Sequence, residues 1–199
     1  MKIGIMGGTF NPIHHGHLIL SEYIRTKADL DKIVFIPTGT PPHKNHNDIL
    51  DSRTRLKMVE LAISSNPFFI CSDIEVSRTK LTYTIDTLIE LKSLYLDCEL
   101  YMIIGADTLL SLYTWKDYAK VLSLVNFIVA DRFGLNTNDV LGEIEKLNNQ
   151  FEADIVSVKS PVIDISSTII RDRVKKGLSI KYLVPEIIED YIFENNLYR

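Results

Sequence analysis

Along this chain, short runs of β-branched and other apolar residues alternate with segments whose apolar positions recur every three or four residues. The runs predict strands and the recurrences predict helices. KIGIMG (2–7) reads as a buried strand and HLILSEYIRTKA (17–28) as a helix. KIVFIPTG (32–39) is a second strand, ended by Pro37 and Gly39. DSRTRLKMVELAISS (51–65) is a helix, with Leu56, Val59 and Ile63 near helical spacing and Asp51 or Ser52 as N-cap. FFICSDIEV (68–76) is a strand, and TYTIDTLIELKSLYL (82–96) a helix capped by Thr82 or Thr84. CELYMIIGAD (98–107) is the clearest buried strand, followed by a helix over WKDYAKVLSLV (115–125) and a strand over NFIVADR (126–132). NDVLGEIEKLNNQ (138–150) reads as a helix weakened by Gly142, and ADIVSV (153–158) as the last strand. Two helices finish the chain: SSTIIRDRVKKG (166–177), ended by Gly177, and PEIIEDYIFENN (185–196), with Pro185 in its first turn. TPPHKNHND (40–48) has two prolines and no period, and reads as a surface loop.

Strands alternating with helices from end to end predict an α/β protein: one doubly wound, mostly parallel sheet with helices on both faces. No internal repeat or linker interrupts the pattern, so residues 1–199 are expected to form one domain. In such sheets ligands bind beyond the carboxyl ends of the strands. GGTF, PPHK, GAD and ADR each follow a strand directly, so all four are expected on one edge of the sheet.

Composition narrows the partners. Hydrophobic residues make up 46% of the 199, and charged residues 24%, ordinary values for a globular protein. The net charge of −4 argues against a surface for duplex nucleic acid, while leaving room for a local basic pocket that takes a small anion. The two cysteines, Cys71 and Cys98, lack metal-ligand spacing and read as small buried hydrophobes in a reducing compartment. No signal segment and no run long enough to span a membrane is seen, so the expectation is a cytoplasmic protein.

The chemistry-bearing stretch is GGTFNPIHHGH (7–17), directly after the first strand. Gly7 and Gly8 allow a sharp turn and close approach of a ligand. The glycines fit neither the dinucleotide fingerprint nor a Walker loop. His14 and His17 share a face at a helix start, whose open amides and positive dipole end would add to the imidazoles as an oxyanion or phosphate site. Histidines that merely pack, or a zinc pair awaiting further ligands, are the competing readings. A second anion cradle is legible at Ser166, Ser167, Thr168 and Arg171, where a plain N-cap with a surface arginine is the alternative. His43 and Lys44 give a third cationic point, or a solvated loop.

Taken together, GTFNPIHHGH and ISSTIIR resemble the nucleotidylyltransferase superfamily. Its H-x-G-H is matched by His14-His15-Gly16-His17, and its late I-S-S-T-x-I-R by Ile165 to Arg171. PPHK (41–44), YTIDTL (83–88), GADTL (105–109), Trp115 and YLVPEIIEDYI (182–192) narrow the resemblance to the bacterial nicotinate-nucleotide adenylyltransferases, over essentially the whole chain. Phe133 departs from the pattern, since proline often follows the arginine matched by Arg132.

The resemblance implies a Rossmann-like nucleotidylyltransferase fold with C-terminal helices. It implies that nicotinate mononucleotide and ATP give deamido-NAD and pyrophosphate, with Mg²⁺ held by the phosphates rather than by side chains. It also implies the roles. His17 would contact the α-phosphate and His14 the ATP phosphates, with Gly7, Gly8, Thr9 and Phe10 forming the surrounding ATP-binding turn. Lys44 and His43 would reach phosphate from their loop. Ile165, Ser167, Thr168 and Arg171 would hold the β- and γ-phosphates. Gly105 and Asp107 would approach the adenosine, and Trp115 would stack on the pyridine ring, whose carboxylate the backbone at Thr84 and Lys116 would read. Without the resemblance, an ordinary core aromatic is the competing reading of Trp115.

A mononucleotide phosphate is already largely ionised at pH 7, so an attack on the α-phosphorus needs no general base, only positioning and charge stabilisation. The phosphate motifs alone would also suit a transferase acting on pantetheine phosphate or a sugar phosphate. A fold that binds nucleotide without catalysis would lack His17, Lys44 or Arg171, and all three are present. The Lys57-Met58 pair inside a helix does not make an aminoacyl-tRNA synthetase loop. Tyr191 and Phe193, apolar and near the C-terminus, are the residues a homodimer would use.

Overall fold

The six strands form one parallel sheet in the order β3-β2-β1-β4-β5-β6. This computed structural model describes residues 1–39, 49–132, 137–151 and 153–199. The strands are β1 (Lys2–Gly8), β2 (Lys32–Pro37), β3 (Phe69–Cys71), β4 (Glu99–Gly105), β5 (Asn126–Arg132) and β6 (Ile155–Ser160). The helices are α1 (His15–Lys27), α2 (Ser52–Ile63), α3 (Thr84–Leu94), α4 (Ala106–Leu110), α5 (Tyr118–Leu124), α6 (Thr137–Phe151), α7 (Ser167–Lys175) and α8 (Glu186–Glu194), with a 3₁₀ turn at Leu112–Thr114.

The mostly parallel sheet expected from the sequence is thus parallel throughout. Its strands read as continuous apolar runs because both faces are covered. Within β2, Val34 and Ile36 enter one core with Leu88 of α3, Leu122 of α5 and Leu147 of α6. Ile33 and Phe35 enter the other with Ile24 of α1, Met58 of α2, Ile170 of α7 and Ile188 of α8. Adjacent side chains point to opposite faces, and each finds its own layer of helices. The strand order reverses between β1 and β4, and this opens a crevice at their carboxyl ends.

Several element boundaries move, each for a local reason. Helix α1 begins at His15 rather than His17, with His14 as an extended N-cap. The strand expected over 68–76 pairs only at Phe69–Cys71, after which Ser77 and Arg78 N–H bond back to Asp73 and Glu75 in a turn. Neither Thr82 nor Thr84 caps α3, whose N-cap is Tyr83; Asp51 caps α2 as one of the two expected residues. The strand expected over 98–107 ends at Gly105, and Ala106, Leu109 and Leu112 bury one side of the short α4 and the turn after it. Asp117, at φ 53, delays α5 to Tyr118. Helix α7 is capped by Ser166, whose hydroxyl accepts the Ile169 N–H.

Cys71 and Cys98 are free and half-buried rather than fully buried. Burial pushes the Cys71 thiol up to about 12. Tyr191 packs against the core below α8, while Phe193 is exposed. No helix among the described residues is long and apolar enough to cross a membrane.

Candidate active site

A cavity of about 500 Å³ opens where β1 and β4 diverge. Ile5 to Thr9 of β1 and its exit form one wall, and Met102 to Gly105 of β4 the other. Of the sequence-predicted residues, Gly7, Gly8, Thr9, His17, Thr84, Gly105, Trp115 and Lys116 line it. His43, Lys44 and Phe133 lie outside the described residues.

The histidine corner stands at the exit of β1. His14 is buried at the N-cap, and its ring stacks on that of His17, centroids 3.7 Å apart and 26° from parallel. The backbone N–H of His14 donates to Nδ1 of His17 at 3.3 Å. With Nδ1 accepting, the proton of the neutral ring belongs on Nε2, which makes that nitrogen the donor. Phe10 backs His17 edge-on, with centroids 5.0 Å apart, from a left-handed backbone at φ 48. The two glycines that permit this are identifiable. A Cβ on Gly16 would lie 2.9 Å from Nδ1 of His14, and one on Gly8 would lie 2.9 Å from the Phe10 ring.

One expectation needs correcting. The amides at the start of α1 are engaged: His15 N–H donates to Leu183 O at 3.0 Å, and His17 and Leu18 N–H to His14 O. The His15, His17 and Leu18 amides are thus engaged within the chain, while the His17 side chain and the exit of β1 line the cavity.

The late motif docks onto the same corner. Ser167 Oγ donates to Pro12 O at 2.8 Å, and Arg171 Nη1 to Asn11 O at 2.9 Å. Arg171 Nη2 reaches Thr168 Oγ1 at 3.3 Å. Ile165 O would lie 3.5 Å from a Cβ on Gly16. The two sequence signatures, some 155 positions apart, are thus joined by side-chain to main-chain hydrogen bonds. Ser167, Thr168 and Arg171 flank the corner without lining the cavity. Asp107 is exposed in the first turn of α4, its carboxylate folded over Gly105.

Another part of the lining is aromatic and polar. Trp115, Tyr83, Thr84 and Lys116 meet there. The Lys116 ammonium lies 4.5 Å from the centre of the Tyr83 ring and 3.9 Å from Asp86 Oδ2. Glu75 is a buried carboxylate on this wall, accepting from Thr87 Oγ1 at 2.8 Å and from Gly39 N–H at 3.4 Å. Sequence reasoning missed it, because it fell inside a stretch read as strand.

Arg55 was also missed. It is buried on α2 and, among the described residues, donates to oxygens: Thr9 O at 2.7 Å, Thr38 O at 2.6 Å, Leu50 O at 2.9 Å and Gly39 O at 3.1 Å, with Thr38 Oγ1 at 3.5 Å. It ties the exits of β1 and β2 together. Burial lowers its affinity for the proton, opposed by the charges of Asp51 and Glu75 and the Tyr198 phenol. Its helical position gave no signal, since a charge at that spacing reads as a solvated face.

Among the described residues no group of three or more His, Cys, Asp or Glu could hold a metal ion. The donors in and beside the cavity are the His17 imidazole, the Lys116 ammonium, the Ser167 hydroxyl and the Arg171 guanidinium, groups that suit anionic oxygen.

The cytidylyltransferase-like family model matches residues 5–173. A Thermoanaerobacter sp. protein named "probable nicotinate-nucleotide adenylyltransferase" is 44% identical over 100% of this chain and 95% of its own. A Dictyoglomus turgidum protein of the same name is 45% identical over 100% of this chain and 96% of its own. The fold matches that of Plasmodium falciparum nicotinic acid mononucleotide adenylyltransferase complexed with NaAD, with TM-score 0.81 at 22% identity over 99% of this chain and 97% of that one.

Proposed function

The chain belongs to the cytidylyltransferase-like family and, with its full-length relatives, to the nicotinate-nucleotide adenylyltransferases; from that premise we propose how its residues divide the work. It transfers the adenylyl group of ATP to nicotinate mononucleotide, giving nicotinate adenine dinucleotide and pyrophosphate, a step of NAD biosynthesis. The observation that carries the division of roles is that His17, Thr84 and Trp115 line one and the same cavity.

The mononucleotide phosphate attacks the α-phosphorus of ATP in line, and pyrophosphate leaves without a covalent intermediate. The nucleophile brings its own charge, so no base is required. His17 Nε2–H donates to the α-phosphate as charge builds in the transition state. His14 braces that ring and helps bind the ATP phosphates within the turn formed by Gly7, Gly8, Thr9 and Phe10. Ser167, Thr168 and Arg171, beside Ile165, hold the β- and γ-phosphates, and phosphate is also the partner assigned to Lys44 and His43. Gly105 and Asp107 approach the adenosine, Asp107 accepting from the ribose. Trp115 stacks on the pyridine ring, and the main chain at Thr84 and Lys116 reads its carboxylate. Mg²⁺ would be held by the phosphates and would help neutralise the departing pyrophosphate. One domain performs all of this, because residues from Ile3 to Tyr198 share the two cores of one sheet.

The test is pyrophosphate release with ATP and Mg²⁺, offering nicotinate mononucleotide, nicotinamide mononucleotide and pantetheine phosphate in parallel. Release with the nicotinate compound, lost in His17→Ala, is the expected result. Release with pantetheine phosphate instead would overturn the roles given to Trp115 and Thr84.

A further inference from the structure

The last turn of the chain carries a side chain that the reaction described above leaves unused. Past α8 the backbone enters the left-handed region at Asn196, φ 51, and again at Tyr198, φ 61. Asparagine tolerates that region, but a bulky tyrosine persists there only where the surroundings over-determine it. Their effect is to turn the Tyr198 ring back into the core that contains Phe10, Ile13, Ile170 and Ile192, where it is 9% exposed. Phenylalanine would satisfy that apolar site equally well. The hydroxyl, however, donates to Oδ1 of Asn11 at 3.0 Å.

Asn11 is where the parts of the phosphate site meet. Its Oδ1 also accepts the Leu50 N–H at 3.2 Å, and its main-chain carbonyl accepts Arg171 Nη1 at 2.9 Å. The next carbonyl, of Pro12, accepts Ser167 Oγ. The positive charges of Arg171 and Arg55 both act on the Tyr198 phenol, yet burial outweighs them and raises its pKa, so it remains a neutral O–H donor. Buried networks of this kind fix one geometry when every member is satisfied.

We propose that Tyr198 is a positioning residue of the triphosphate subsite: its O–H fixes Asn11, and Asn11 in turn aims the Arg171 guanidinium at the phosphates of ATP. The inference rests on the reading of Arg171 as a phosphate ligand. It requires the C-terminal turn to act on nucleotide binding from the far end of the chain.

The experiment is steady-state kinetics of the full chain with ATP and nicotinate mononucleotide each varied, for Tyr198→Phe, Arg171→Lys and the double variant. Loss of one neutral hydrogen bond should raise the KM for ATP about fivefold, leaving kcat and the KM for the mononucleotide within about twofold. In the Arg171→Lys background the same change should add less than about twofold, because the group it acts through is already displaced. A fall in kcat with both KM values unchanged would mark Tyr198 as merely structural and overturn the proposal. So would a full additive effect in the double variant. If Arg171→Lys raises the KM for ATP and Tyr198→Phe does not, this inference fails alone. If Arg171→Lys leaves that KM unchanged, the phosphate role of Arg171 fails and takes this inference with it.

Discussion

The rings of His14 and His17 lie face to face at 3.7 Å, and the main-chain N–H of the first donates to Nδ1 of the second. The pair is therefore not two equivalent ligands. His14 is buried support, and His17 is the ring that meets the cavity, with Nε2 as its donor.

That asymmetry predicts which replacements of His17 keep activity. The amide nitrogen of glutamine falls near the place of Nε2, and that of asparagine near Nδ1. His17→Gln should retain more pyrophosphate release than His17→Asn. His17→Ala should lose about 10²–10³-fold in kcat, the usual worth of one oxyanion donor. Initial-rate assays at saturating ATP decide it; asparagine outperforming glutamine would reverse the tautomer.

Gly16 sits within α1, where Gly→Ala ordinarily stabilises by about 1 kcal/mol. Here the added Cβ would lie 2.9 Å from Nδ1 and 3.0 Å from Cε1 of His14. Gly16→Ala should fold, with little or no gain in melting temperature, and should lose activity because His14 can no longer lie against His17. A calorimetric scan paired with the pyrophosphate assay separates the two effects; an active, stabilised variant would show that the stack is dispensable.

Arg55→Met removes five donors' worth of contacts from buried oxygens at Thr9, Thr38, Gly39 and Leu50. Stranding buried polar groups should cost about 3 kcal/mol or more, read as a lower urea midpoint. Arg55→Lys should recover only part, since one ammonium cannot span the exits of both strands.

The N-cap of α2 gives a pH signature. The Thr54 hydroxyl, and then the Thr54 and Arg53 amides, hold the Asp51 carboxyl below its usual range. A lowered folded-state pKa means stability that is present above the unfolded value of about 3.9 and lost as pH falls through the folded value. Asp51→Asn, still a good cap, should flatten that part of the stability profile below about pH 4, whereas Asp51→Ala should cost about 1 kcal/mol at pH 7. Urea melts across pH 2–7 measure both.

The sequence by itself determined the order and kind of the main elements, because strands buried on both faces and helices with one apolar side leave unmistakable periods. It also made legible the two phosphate motifs, whose residues are close neighbours along the chain. Boundaries escaped it where backbone conformation rather than hydrophobicity set the start of a helix, as at extended Tyr83 and left-handed Asp117. Only the tertiary structure decided how the motifs meet. Ser167 and Arg171 hang on the carbonyls of Pro12 and Asn11, Arg55 joins two strand exits, and Tyr198 returns from the end of the chain. These contacts are made largely to main-chain oxygens, which every residue carries. A side chain that answers a carbonyl far along the chain therefore has no partner that the sequence could reveal.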